Sequence, residues 1–308
     1  MALSGDEGPE SYGWQYHPRP AQILAASVAA THRRFPNLGR NDLEMTLVVP
    51  QGETAIGASY RGNRPVSPAS VVKMFYLVAV QAWLEAGKLH ATHELRSALS
   101  AMIGQSSNDA TSHIVDLLTG TTGGPDLPPV AFRRWLMRRR AINRYFASWG
   151  CPEFAGINLT QKTWSEAPYG RERQSRFDVP KNRNLLTTDA VARLLLAIER
   201  GEAVNRRRSA ATLKLLARPL PAKSNPLVPF HQVSGFLGEG LPRGSHLWSK
   251  AGWNSAVKHD AAIVRLPMGR KFILVVFTSG KTQAQSMRIL PFIARRVAAA
   301  VAIQPALS

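Results

Sequence analysis

Two residue types at one spacing set the chemistry to look for: Ser70 and Lys73, in Ser67-Pro68-Ala69-Ser70-Val71-Val72-Lys73. On a helix, positions three apart share a face and are separated by about 4.5 Å of rise, so an amine there reaches the hydroxyl. A hydroxyl beside an amine able to hold its proton is a nucleophile for acyl transfer. Ser67 suits an N-cap and Pro68 the first helical position, which predicts a helix starting at Pro68. The backbone N–H of Ser70 is then a first-turn donor without an intrahelical partner, aimed where an oxyanion could be held. The alternative is a capped core helix with a solvated lysine, since Val71, Val72, Phe75, Leu77, Val78 and Val80 make the segment apolar nearly all round. Ser255-Ala256-Val257-Lys258 repeats the spacing without the helix-start signals.

Two further segments could join that pair. Ser106-Ser107-Asn108 is a polar cluster between two helical stretches, which also reads as an ordinary capping turn. Lys250-Ala251-Gly252-Trp253 falls on a strand, and a glycine inside a strand marks a bulge or a close backbone approach.

The elements that must position these residues are read from periodicity. Pro20 to Phe35 reads as an amphipathic helix; Leu43 to Val49 and Ala55 to Tyr60 read as strands joined through Pro50-Gln51-Gly52-Glu53. Helices are predicted over Val71 to Ala86, Thr92 to Ile103, Ala110 to Leu118, Val130 to Trp149, Thr188 to Glu199 and Asn205 to Ala217. Long connections interrupt them at Gly120 to Pro129 and Cys151 to Thr187, and connections of that length are usually functional. Strands return at His246 to Trp253, Ala261 to Leu266 and Lys271 to Thr278, before a helix from Gln283 to Ala302. The expected fold is therefore α/β, of the α+β kind. An antiparallel sheet built from both termini is flanked by helices and carries an all-helical insert. The corresponding division is a lead-in over 1–19 and one catalytic domain over 20–308, with its sheet part at 20–66 and 219–308 and its helical part at 67–218.

Of the 308 residues, 39 are Lys or Arg and 20 are Asp or Glu, a formal charge of +19 that favours anionic surroundings. The arginine runs at 138–140 and 206–208 fall on predicted helices without any nucleic-acid motif, which favours a solvated basic face over a nucleic-acid partner. The one cysteine, Cys151, excludes an internal disulfide and reads as a small buried hydrophobe. No uncharged apolar run approaches the ~20 residues of a membrane span. Met1 to Gly8 lacks the pattern of a signal peptide, so the protein is cytoplasmic, or periplasmic or secreted if a leader is missing from this sequence. Ser279-Gly280-Lys281-Thr282 lacks the upstream glycine of a phosphate loop. Gly235 to Gly240 is not a dinucleotide fingerprint, and His90-Ala91-Thr92-His93 lacks the partners of a zinc site. No cofactor or metal is expected.

Taken in order, the three segments resemble the class A β-lactamases and their penicillin-binding relatives, which carry Ser-x-x-Lys at a helix start, Ser-x-Asn between helices and Lys-Thr-Gly on an edge strand. Met102-Ile103 before the second segment and Thr187-Thr188 opening a later helix agree. The resemblance spans about Pro20 to Ala302. It implies an acyl-enzyme on Ser70, with Lys73 as base and the N–H groups of Ser70 and Trp253 holding the oxyanion beside Gly252. Ser106 would relay the proton to the leaving nitrogen, Asn108 would bind the substrate's side-chain amide, and Lys250 would attract its carboxylate. The implied partner is a small acyl substrate, a β-lactam or a peptidoglycan-like peptide, acted on by a monomer.

There are departures. Ser107 and Ala251 replace the family's aspartate and hydroxyl residue, and the deacylating glutamate lacks its Glu-x-x-Leu-Asn setting. Glu166 and Glu172 are the carboxylates of that loop; counting back from Thr187 selects Glu172, the alternative being a surface glutamate paired with Arg171 or Arg173. Lys258 and His259 could replace the lost anchor or simply end an exposed hairpin. His259 and Asp260, on opposite strand faces, form no dyad. The competing functions are a penicillin-binding D,D-peptidase or esterase that deacylates slowly, and a non-catalytic basic binder of an anionic polymer.

Overall fold

A computed structural model describes residues 13–164, 167–180, 182–220 and 232–303. The strands are β1 (Gln15–Tyr16), β2 (Leu43–Gln51), β3 (Thr54–Tyr60), β4 (Ala217–Arg218), β5 (His246–Trp253), β6 (Val257–Arg265) and β7 (Lys271–Ser279). They form one sheet in the order β1-β3-β2-β7-β6-β5-β4. Every neighbouring pair is antiparallel except β1 with β3. β2 joins β7 with Leu47 opposite Leu274, so the N-terminal hairpin and the C-terminal strands make one surface.

Both faces of that surface are covered, and the two-residue repeat of a strand divides its side chains between them. Ala261, Ile263, Ile273, Val275 and Phe277 enter one core, while Ala262, Val264, Phe272, Leu274 and Val276 enter the other. The second core is closed by α1 (Pro18–Arg34) and, from the far end of the chain, α11 (Ile289–Ala302), whose Leu290, Ile293 and Val297 are buried. The first core is built on α2 (Lys73–Glu85), where every residue from Lys73 to Ala82 is buried, which is why its sequence is apolar all round. Around α2 stand α3 (His93–Ser100), α4 (Asn108–Thr119), α5 (Pro129–Arg139), α6 (Ala141–Ala147), the short α7 (Gly170–Arg173), α8 (Thr188–Arg200) and α9 (Arg206–Leu216). The remaining short helix is α10 (Lys281–Gln285).

Several expected boundaries change. The helix expected from Val130 to Trp149 divides at Arg140, and the terminal helix divides where Ser286 turns extended. β6 begins at Val257, earlier than its apolar run, because Lys258, His259 and Asp260 are buried strand residues whose polar atoms find partners inside the fold. The hairpin end at Lys258 is accordingly not exposed. Arg139 is wholly buried, so the 138–140 run is not one solvated face; Arg207 and Arg208 both pair with Glu85. Cys151 is only partly buried, and its sulfur lies 3.3 Å from the Arg193 guanidinium. Among the described residues no helix is long and apolar enough to cross a membrane.

Candidate active site

The helix carrying Lys73 does not start at Pro68. Residues Ala69–Val72 form a 3-10 turn, Pro68 takes its N-cap position without a side-chain capping bond, and α2 proper begins at Lys73. Ala69, at φ 45°, lies in the left-handed region, which breaks the helical path just before Ser70. Two contacts hold this turn on the sheet. A side chain at Gly252 would start 2.8 Å from the Pro68 carbonyl oxygen and from the amide nitrogens of Ser70 and Val71, so only glycine lets β5 approach. The Ser67 carbonyl meets Nε2 of His259 at 2.9 Å. Because Nδ1 of that ring accepts the Thr278 N–H, its proton sits on Nε2 and is donated to Ser67. Burial pushes the His259 imidazole down to about 4, so the ring is a neutral strut.

Opposite the turn, α3 runs into a π-helical stretch, Ala101–Gln105, and ends at Ser106 in the left-handed conformation, φ 59°. Strained backbone of this kind costs on the order of 1–3 kcal/mol and is held by its surroundings. Here Lys73 holds it. Its Nζ donates to the Ser106 carbonyl at 2.5 Å and to Asn108 Oδ1 at 2.9 Å, and lies 3.2 Å from Ser106 Oγ. Burial lowers the Lys73 amine to about 7. A further carbonyl, that of Ser107, lies 3.4 Å away; in its neutral form the amine keeps a lone pair that can accept a hydroxyl proton.

Lys250 reaches the same oxygen from the sheet, with Nζ 3.0 Å from Ser106 Oγ. It also donates to Gln232 Oε1 and to the Ala251 carbonyl, each at 2.7 Å. Three acceptors match an ammonium, while burial, Lys73 and Arg218 push Lys250 well below its ordinary value. The geometry therefore suits a cation that an arriving anion would stabilise. The carboxylate that acts on it, Asp260, is committed to the N–H groups of Leu237 and Ala261.

Glu172 sits in an ion cluster. It is buried and takes a 2.6 Å bond from Arg139, with Lys162 3.8 Å away; Lys162 and Arg139 also pair with Asp116 at 2.6 and 3.3 Å. Burial raises the Glu172 carboxyl against the pull of Arg139 and Lys162. It is thus neither exposed nor paired with Arg171 or Arg173. The charges of Glu172 and Arg139 bear on Tyr76, one turn beyond Lys73, whose hydroxyl bonds the Gln161 carbonyl and Asn184.

A family model described as the beta-lactamase enzyme family matches residues 34–301. The chain belongs to that family. Its fold is shared with a beta-lactamase from Sphaerobacter thermophilus DSM 20745, 22% identical at a TM-score of 0.65, covering 92% of this chain and 98% of that one. A beta lactamase from Xanthomonas campestris pv. campestris is 19% identical at a TM-score of 0.62, covering 91% and 97%. A mutant of PBP-A, in an acyl-enzyme complex with penicillin G, is 17% identical at a TM-score of 0.66, covering 95% and 99%. No curated protein sequence matches. Membership of the family makes this a beta-lactamase-like hydrolase.

Within this beta-lactamase-family chain the structure brings Lys73, Ser106, Asn108 and Lys250 into direct contact, docks the Ser70 backbone on Gly252, and holds Glu172 in an ion cluster. Trp253 joins them on β5: the Ala251 N–H points away from β6, and the strand repeat puts the Trp253 N–H on that same edge. Lys258 turns to the other face, donating to the Ser286 carbonyl under the Phe236 ring. Glu166 lies outside the described residues. Two site residues carry no motif. Gln232 Oε1 accepts from Lys250 and from the Ala251 N–H at 3.2 Å, and its Nε2 donates to the carbonyls of Ile103 and Gly104, each at 2.9 Å. Arg218, on β4, donates to the Ile103 carbonyl at 3.0 Å, and burial lowers it to about 10.

Proposed function

We propose that the protein opens amides of the β-lactam or peptidoglycan-peptide type by forming an ester on Ser70. Neutral Lys73 takes the Ser70 proton as the oxygen attacks the carbonyl, and the Ser70 and Trp253 N–H groups hold the resulting oxyanion. The C–N bond then breaks as Ser106 passes its proton to the leaving nitrogen and is resupplied from Lys73. Asn108 binds the acyl side chain's amide, and Lys250 draws an anionic group to the far side of the cleft. The observation that carries this reading is the Ser106 hydroxyl lying between two buried lysines, 3.2 Å from one and 3.0 Å from the other. An intact-mass time course with benzylpenicillin tests it: a covalent adduct should form on the wild-type protein and not on Ser70→Ala. No adduct on either overturns it.

The Arg139–Glu172 bond favours a second reading for the fate of the acyl-enzyme. A carboxylate locked to a guanidinium is a poor activator of water, so the ester would persist, as in a penicillin-binding peptidase or esterase. With Glu172 as deacylation base the adduct would instead appear and clear rapidly. The same time course distinguishes them.

A further inference from the structure

We infer that the Gln232 side chain occupies the anion position of this cleft, and that an anionic acyl substrate binds by displacing it; the inference rests on the acyl-enzyme reading above. Gln232 Oε1 sits where a cation and a backbone donor converge, 2.7 Å from Lys250 Nζ and 3.2 Å from the Ala251 nitrogen. Those are the partners a carboxylate oxygen would take. The surroundings favour the exchange. Lys250 feels the like charges of Lys73 and Arg218, and the one carboxylate acting on it, Asp260, is already bonded to two backbone N–H groups. An amide oxygen satisfies the Lys250 donor without neutralising it, whereas a carboxylate does both, through bonds roughly twice as strong.

The position lies on the substrate's path. Ala251 presents its N–H on the edge of β5 that also carries the Trp253 N–H, one strand repeat further along. Gln232 therefore fills the station next to the oxyanion donor. It is held there from the opposite wall, because both Nε2 hydrogens are committed to Ile103 and Gly104 at the end of the π-helical stretch. The Ala251 methyl packs into the second core, so its backbone N–H is what this residue offers there. The geometry makes Gln232 a specificity-determining residue that sets how strongly a negative charge beside the scissile amide is rewarded.

The test compares acylation rates, by intact mass, for benzylpenicillin and for its uncharged methyl ester, on the full chain. Gln232→Ala should raise the ratio of the charged to the uncharged rate about tenfold or more, the scale of a hydrogen bond to a charged group. Gln232→Glu should lower it, because a tethered carboxylate then holds Lys250. A purely structural role for Gln232 would move both rates together, and an unchanged ratio in both variants overturns the inference while leaving the acyl-enzyme intact. If only one variant folds, its own predicted direction decides. Failure of both compounds to label the wild-type protein overturns the acyl-enzyme reading, and this inference with it.

Discussion

The backbone nitrogen of Ser70 lies 2.8 Å from the point where a side chain at Gly252 would begin. That contact docks the Ser70 turn on β5 with no room for a methyl group. Gly252→Ala should push the turn off the strand, lower the rate of Ser70 acylation at least about a hundredfold and cost about 1–3 kcal/mol as an overpacked contact. Adduct formation and urea denaturation measure the two effects. Wild-type acylation in this variant would show that the close approach is dispensable.

The pH dependence of acylation should track Lys73. Its amine is lowered to about 7 by burial, and only the deprotonated form can accept the Ser70 proton. The rate should therefore rise about tenfold per pH unit at acid pH and level off above about 7. Lys73→Ala should lose on the order of 10² to 10⁴ in rate. A flat profile from acid to neutral pH would assign the base to another group.

Glu172→Gln leaves the Arg139 guanidinium with Asp116, at 3.3 Å, as its remaining carboxylate partner. We expect a loss of about 1.5–3 kcal/mol in urea denaturation, the scale of a hydrogen bond to a charged group, and an adduct lifetime close to that of the wild type. A much longer lifetime would make Glu172 the group that activates water.

Two neighbours on β6 should nearly cancel in acid. His259 is lowered to about 4 from 6.5, so as pH falls below 6.5 the unfolded chain takes up a proton that the folded one refuses, and stability is lost. Asp260 is raised to about 6 from 3.8, so the folded chain takes up its proton first and stability is gained as pH falls through 6. Each amounts to about 3 kcal/mol between pH 6 and 4 at full effect. Asp260→Asn removes the gain, and its stability should fall more steeply than the wild type's over that window. Parallel curves by thermal melting would exclude the balance.

The features readable in the sequence are those with a local cause. Ser70, Lys73, Ser106 and Asn108 stand where a helix start and a capping turn leave their own marks, and Gly252 marks a strand that something must approach closely. The features that sequence reading misses depend on distant partners. Gln232 is an ordinary amide until Ile103 and Lys250 arrive on either side of it. Arg139 differs from Arg138 and Arg140 only in helical phase, which matters because Glu172 and Asp116 lie on that side. β6 reads as short because buried Lys258, His259 and Asp260 mimic an exposed turn. The 3-10 turn is hidden because alanine gives no sign that it will take a left-handed conformation.

Ser106 and Lys250 meet across 144 positions of chain. On the proposed mechanism no fragment could rehearse the reaction: a nascent polypeptide lacking β5 would hold Ser70 but not the far lysine, and would gain competence only once the C-terminal strands dock. Covalent labelling by a β-lactam would then serve as a clock for completed folding, silent in every intermediate where the two ends have yet to meet.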